Sequence, residues 1–399
     1  MSNLSDLLPA GASAKSATFT ADGTLAAGES VILTAAGKAA PITSVTGSVG
    51  TPVVFESAQT EWISATFDSD SNKVVIVYKD AANSGYGTAV VGTVSGTSIS
   101  YGAAVVFESA DTREISATFD SDSNKVVIAY SDWGNSDYGT GIVGTVSGTS
   151  ISFGTAVVFE TATVAYTSAI FDSNENKVVI SYEDSGNSGH GTAIVGTVSG
   201  TAISFGTAVV FEAANSQHIS ASFDSTANKV VIAYKDLGNS NYGTGIVGTV
   251  SGTSISFGSA TVYASGNSTY NSACYDSVND KTVIAYRNES SGSKGTAVIG
   301  TVSGTGISFG TAVAFSGSAP LRLTTLANTY DVASERPVIS YSDGDDSDKG
   351  KSIVGTVSGT TISFGTAVVF ESGETKYISS AFDSNSNKVV IAYQDDSNS

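Results

Sequence analysis

One cysteine, one methionine, two histidines, two tryptophans and five prolines are all that 399 residues hold of these types. A single thiol, Cys274, rules out a disulfide framework or a thiolate metal cluster within one chain. Two histidines, His190 and His218, leave nothing from which to assemble a Ser-His-Asp or His-x-x-x-His constellation. Basic residues are also scarce. Eighteen Lys and Arg face 37 Asp and Glu, a formal net charge of -19 that repels nucleic-acid phosphates and anionic membrane surfaces. No apolar run approaches the roughly 18 residues of a membrane span, so no membrane insertion is expected. The opening MSNLSDLLPAGASAK lacks the basic and apolar regions of a secretory signal. A very acidic surface rich in Ser, Thr and Gly nevertheless suits work outside a cell, and release by lysis would reconcile the two.

What is present is repetition. Glycine numbers 43, and β-branched Val, Ile and Thr outnumber the good helix formers, which favours strands joined by tight turns. The string GTVSGT recurs from Gly92, Gly144, Gly196, Gly248, Gly300 and Gly355, a period of 52 residues lengthened once to 55. A second phrase, ISATFDSxxNKVVIAY in its fullest form, puts Asp68, Asp120, Asp172, Asp224, Asp276, Asp331 and Asp383 at equivalent places, seven copies in all. The first unit reads as four strands, 63–67, 73–78, 88–94 and 98–107, with a crossing loop such as 56–62 leading into each inner strand. Ser64, Ala65 and Thr66 are small enough for a strand beside an axis, and Val74 to Val77 are apolar on both faces, as a strand between packed sheets must be. The fold expected is all-β: a seven-bladed β-propeller of four-stranded antiparallel blades over residues 29–399, preceded by an attachment or extension segment, 1–28. The last copy contains only two inner strands. Residues 30–55 resemble the missing outer pair, so strands from both termini are expected to close one blade and leave no sheet edge. A truncated solenoid is the alternative, although no capping repeats are visible.

Antiparallel order sorts the connections onto two faces. The DSxxN and SGT turns share the constant face. The crossing loops and the long loop 79–87 share the other, and there the copies differ. Just before the inner strand stand Trp62, Glu114, Tyr166, His218, Tyr270, Thr325 and Tyr377; at the long-loop tip stand Tyr86, Tyr138, His190, Tyr242, Lys294 and Lys349. Aromatic rings among Asp, Asn and Ser suit stacking on sugar faces with hydrogen bonds to hydroxyls. Tyrosines that merely seal the blade ends would give a similar pattern, but residues of such different shape at one equivalent place favour ligand contact. The candidate ligand-binding residues are therefore Trp62, Tyr166, His218, Tyr270, Tyr377, Tyr86, Tyr138, His190 and Tyr242.

Two other patterns invite chemistry. Asp68-Ser-Asp70-Ser-Asn72 has the alternating oxygens of a calcium loop, but the middle position becomes Asn174, Thr226, Val278, Ala333 and Asn385, so a plain turn is expected and no metal or cofactor. Asp80, Asp132, Asp184, Asp236, Asn288, Asp343 and Asp395 recur once per unit, which argues for loop-initiating turns rather than the single asymmetric pair of carboxylates a glycosidase needs. Cys274, inside an inner strand, reads as a buried inert thiol.

The opening MSNLSDLLPAG with ATFTADGTLAAGESVILTAAGKAAPI, and the ISATFDSDSNKVVIAY and GTAVVGTVSGTSISFG repeats, resemble structural and tail-fibre-like proteins of marine bacteriophages. The resemblance implies a virion location and other virion proteins as partners, and brings no catalytic residues. The function expected is non-enzymatic attachment to a host surface, through glycan on the variable face. A purely structural decoration module and a glycan hydrolase are the alternatives, and a homo-oligomer is compatible with each.

Overall fold

The computed structural model describes residues 31–33, 39–41, 47–317 and 326–397, and the chain divides into two compact units, residues 1–45 and 46–399. In the first unit β1 (Val31–Leu33) and β2 (Ala39–Pro41) pair antiparallel, Val31 opposite Pro41. The second unit is the expected β-propeller. Its first repeat runs β3 (Thr60–Asp68), β4 (Lys73–Asp80), β5 (Tyr86–Ser95), β6 (Ser98–Tyr101) and β7 (Val105–Asp120). Helix among the described residues is confined to three-residue 3-10 turns.

Each element follows from its residues. Val74 to Tyr78, the middle of β4, are all buried, because both faces of this strand lie against neighbouring sheets. The β3–β4 turn forms because Asp68 Oδ1 accepts from the backbone N–H of Asp70 and Ser71, both at 3.0 Å. The same pair of bonds recurs at Asp120, Asp172, Asp224, Asp276, Asp331 and Asp383, so this carboxylate oxygen serves the turn in every copy.

Two expected loops prove to be regular structure. The long loop 79–87 is a short reversal: β4 runs on to Asp80, whose side chain accepts from Asn83 N at 3.1 Å, Ser84 turns the chain at φ 57°, and Tyr86 already pairs with Asp80. In five copies the crossing is not a loop either, although residues 56–59 ahead of the first inner strand carry no strand, as a crossing loop there would have it. Val105–Asp120 is one continuous strand whose first half pairs with β5 as far as Asp111 opposite Tyr86, and whose second half pairs with Lys125–Asp132 from Thr112 opposite Asp132. It passes from one blade to the next as a single strand, with register shifts between Glu108 and Asp111 on one side and between Arg113 and Ser116 on the other. The outer strand breaks instead at Gly102, where a Cβ would lie 1.8 Å from the Thr149 carbonyl oxygen of the next blade.

The blades are stitched around the axis by serine. Ser64 Oγ accepts from Ala117 N, Ser116 from Ala169, Ser168 from Ala221, Ser220 from Ala273 and Ser272 from Asn328, all at 2.9–3.0 Å. Ala327 stands where the next serine would, and there Thr329 Oγ1 donates to Ser380 O at 3.0 Å. Ser379 Oγ then accepts from Ala65 N at 2.9 Å, joining the last inner strand to the first. Among the described residues, seven inner strands are thus linked in a ring.

The closing ladder between residues 30–55 and 378–393 is not among the pairings of the described residues; residues 30, 34–38 and 42–46 lie outside them. Among the described residues Lys388–Asp395 pairs with Val368–Asp383. Part of the N-terminal segment does take the outer place of the last blade. Phe55 packs on Tyr78 and Tyr101 at 5.2 and 5.9 Å, as Phe107 packs on Tyr130 and Phe153 at 5.4 and 5.7 Å. Gly50 also meets Thr97 O as Gly102 meets Thr149 O. Among the described residues, 47–54 carry no strand, and the ring of Phe55 supplies the packing that holds this segment.

Candidate functional site

The register of six inner strands slips just after each leaves the preceding blade, between Glu61 and Ser64 and at the equivalent places in five other copies. The residue at the head of this bulge is the variable one. Trp62, Glu114, Tyr166, His218, Tyr270 and Tyr377 all adopt left-handed backbone, with φ between 47° and 53°. That conformation is costly for bulky side chains, and glycine would adopt it freely. Six such residues in one repeat position mark a place where side chains are kept at the expense of backbone comfort, a pattern typical of functional sites.

These six residues are drawn together rather than spread on separate loops. Tyr166 and His218 have ring centroids 4.9 Å apart, His218 and Tyr270 4.7 Å, and Trp62 and Tyr377 5.8 Å. Tyr166 N donates to Glu114 Oε2 at 2.7 Å, and Asn271 Nδ2 donates to the His218 carbonyl at 2.9 Å, so neighbouring blades are tied at this level as well. The result is a half-buried collar around the axis. Thr325, the remaining member by sequence, lies outside the described residues.

The second expected set is placed elsewhere. Tyr86, Tyr138, His190 and Tyr242 are not loop tips but first residues of third strands, each opposite the aspartate that ends the second strand. None of their rings touches a collar ring among the described residues. Asp80, Asp132, Asp184, Asp236, Asp343 and Asp395 each accept from a backbone N–H two or three residues on, so they act as turn caps. Cys274 is buried, and burial together with Asp276 pushes its thiol up.

The strand register places a second variable position beside the collar: Lys79 opposite Glu61, Ser131 opposite Arg113, Glu183 opposite Ala165, Lys235 opposite Gln217 and Arg287 opposite Thr269. Their charges make the collar uneven. Burial, with a further contribution from Glu183, pushes Glu114 up to about 7, against the opposing hydrogen bond from Tyr166 N. Burial, then Lys235 and Arg287, holds His218 down at about 4. Near neutral pH the collar therefore offers tyrosine hydroxyls, an uncharged imidazole and a carboxyl poised between its two forms. Glu114 and Glu183 each occur in one unit only, which supplies an asymmetry of acids that the ring of repeated aspartates lacks. Glu183 belongs to neither the collar nor the aspartate ring of the repeat, and its only signal in the sequence is the variation at its own position, Lys79, Ser131, Lys235 and Arg287 in other copies.

The chain matches no family model and no curated protein. Its fold is similar to that of solved structures. The BP39L lectin from Burkholderia pseudomallei superposes with a TM-score of 0.57 at 10% identity, covering 84% of this chain and 96% of that one. The periplasmic gluconolactonase PpgL of Pseudomonas aeruginosa superposes with a TM-score of 0.57 at 10% identity, covering 84% and 88%. At this identity the likeness establishes the propeller fold alone.

Proposed function

We propose that this propeller binds carbohydrate at the collar. The observation that carries the reading is the set of six differing side chains held in left-handed backbone at one equivalent position and packed side by side around the axis. Stacked rings present apolar faces that fit the C–H faces of sugars, while the tyrosine hydroxyls, His218 and Glu114 offer donors and acceptors to sugar hydroxyls. A lectin among proteins of similar fold is in keeping with this reading. The setting we propose is a virion surface and attachment to a host, supported by the resemblance of the repeats and of the N-terminal segment to tail-fibre-like phage proteins, with other virion proteins as partners.

The test is binding of the full chain to a glycan array and to whole cells. Replacing Tyr166 and Tyr270 with Ala should weaken attachment by tenfold or more, whereas Ser95→Ala and Ser147→Ala on the opposite face should leave it intact. Indifference to both sets would favour a purely structural module. A second reading, glycan hydrolysis, is favoured by Glu114 alone, since a carboxyl held near 7 beside a second carboxylate is the pattern of a general acid. Release of reducing sugar that is abolished by Glu114→Gln would establish it.

A further inference from the structure

We infer that Trp133, stacked on Arg113 at the rim of the second blade, forms a separate saccharide subsite for an uncharged pyranose. The inference rests on the carbohydrate reading of this face, and extends it to a place outside the collar.

Trp133 opens the turn between the second and third strands of its blade. The equivalent residues are Ala81, Ser185, Leu237, Glu289, Gly344 and Asp396, so the repeat itself requires no aromatic ring there. Trp133 is 46% exposed, and every other large apolar residue exposed to this degree among the described residues is valine. An indole in water in an otherwise regular repeat calls for a reason.

One ring face is already occupied. The Arg113 guanidinium carbon lies 3.1 Å from the ring centroid. Arg113 is itself fixed by Asp111 at 2.9 Å, Asp111 by Lys79 at 2.9 Å, and Lys79 by Glu61 at 3.3 Å. The turn beneath is fixed too, since Asp132 Oδ1 accepts from Asn135 N at 3.1 Å. The indole is thus held in place before any ligand arrives, which lowers the entropy lost on binding. Two cations and two anions balance in the chain from Glu61 to Arg113, and Asp132 and Asp137 in the same turn leave a surplus of negative charge, so an uncharged sugar suits the site better than a uronate. A protein partner would require a continuous apolar patch, but the residues that follow the ring, Gly134, Asn135 and Ser136, are small or polar and exposed.

The chain has two tryptophans, Trp62 in the collar and Trp133 at the rim, so each can be made the sole emitter. The probes are neutral gluco-, galacto-, manno- and fucosyl trisaccharides, with trigalacturonate as the charged counterpart of galactotriose. In full-length Trp62→Phe protein, a neutral trisaccharide should shift Trp133 emission. Arg113→Ala should increase acrylamide quenching of Trp133 and weaken that titration about tenfold, and Trp133→Ala should lower the affinity of the otherwise native protein by at least as much. Silence of the Trp62→Phe protein while Trp133→Phe protein responds would overturn this subsite and leave the collar reading standing. Silence of both across the panel would overturn both. An equal response to trigalacturonate would overturn the uncharged class, and concentration-dependent self-association abolished by Trp133→Ala would replace the sugar with a second copy of the chain.

Discussion

Glu114 and His218 occupy the same repeat position two blades apart, and burial moves them in opposite senses, up to about 7 and down to about 4. For Glu114 the folded value lies above the ordinary 4.5, so its contribution to stability is full below pH 4.5 and is lost as pH rises through 7. For His218 the folded value lies below the ordinary 6.5, so its contribution is full above pH 6.5 and is lost as pH falls toward 4. Between pH 4.5 and 6.5 the two slopes oppose each other. Glu114→Gln, which keeps an acceptor for Tyr166 N, should remove only the first. Relative to the native protein it should gain stability between pH 4.5 and 7, by at most about 3 kcal/mol. His218→Gln should show the reverse, losing its relative disadvantage as pH falls. Difference melting curves across this range measure both, and a flat difference for Glu114→Gln would place that carboxyl in water.

At the scale of the strand, the serine seams matter because each Oγ satisfies a backbone N–H beside the axis, away from any ladder. Ser168→Ala leaves the Ala221 N–H without its partner, at a cost of about 1–3 kcal/mol. Ser379→Ala does the same to Ala65 at the seam where the chain's end meets its beginning. If the ring is closed as described, the two substitutions should lower the melting temperature alike. A normal loss for Ser168→Ala with none for Ser379→Ala would mean an open seam. A second repeated device lies further out. Buried Tyr130, Tyr182 and Tyr234, and half-buried Tyr393, each donate from the hydroxyl to a glutamate, Glu108, Glu160, Glu212 and Glu371, at 3.0–3.2 Å. Where the glutamate position is Ala264, the residue just before it replaces the repeat's phenylalanine with Tyr263, whose hydroxyl donates to Asn271 at 2.8 Å. That change carries through Asn271 to the carbonyl of His218, so an irregularity in one copy props the collar residue of the copy before it.

For the molecule as a whole, closure decides whether the last two-stranded unit is protected or frayed. The segment around Phe55 covers its neighbour with one ring stacked on Tyr78 and Tyr101 and one carboxylate, Glu56, accepting from Tyr78. Phe55→Ala should therefore destabilise the propeller by about 3 kcal/mol, close to the effect of Phe107→Ala inside a complete blade. Chemical denaturation followed at both variants checks this. An effect of Phe55→Ala within experimental error of zero would show that the N-terminal segment does not seal the ring.

Periodicity alone determined the β class, the four-strand unit, the seven inner strands, the DSxxN and aspartate turns and the position at which the copies vary, because each depends on local spacing that a near-identical repeat states many times over. Tertiary structure decided the rest. Whether a crossing segment loops out or stays paired depends on which blade receives its hydrogen bonds, and 105–120 shows no break in its sequence to announce the transfer. The collar residues come together only because a bulge turns their backbone left-handed and the ring brings strands 52 residues apart side by side. Tyr86 and its equivalents were indistinguishable from them in sequence, and the third strand carried them away. Nothing local in the sequence relates Trp133 to Arg113, twenty positions earlier; the fold alone sets the guanidinium against its ring.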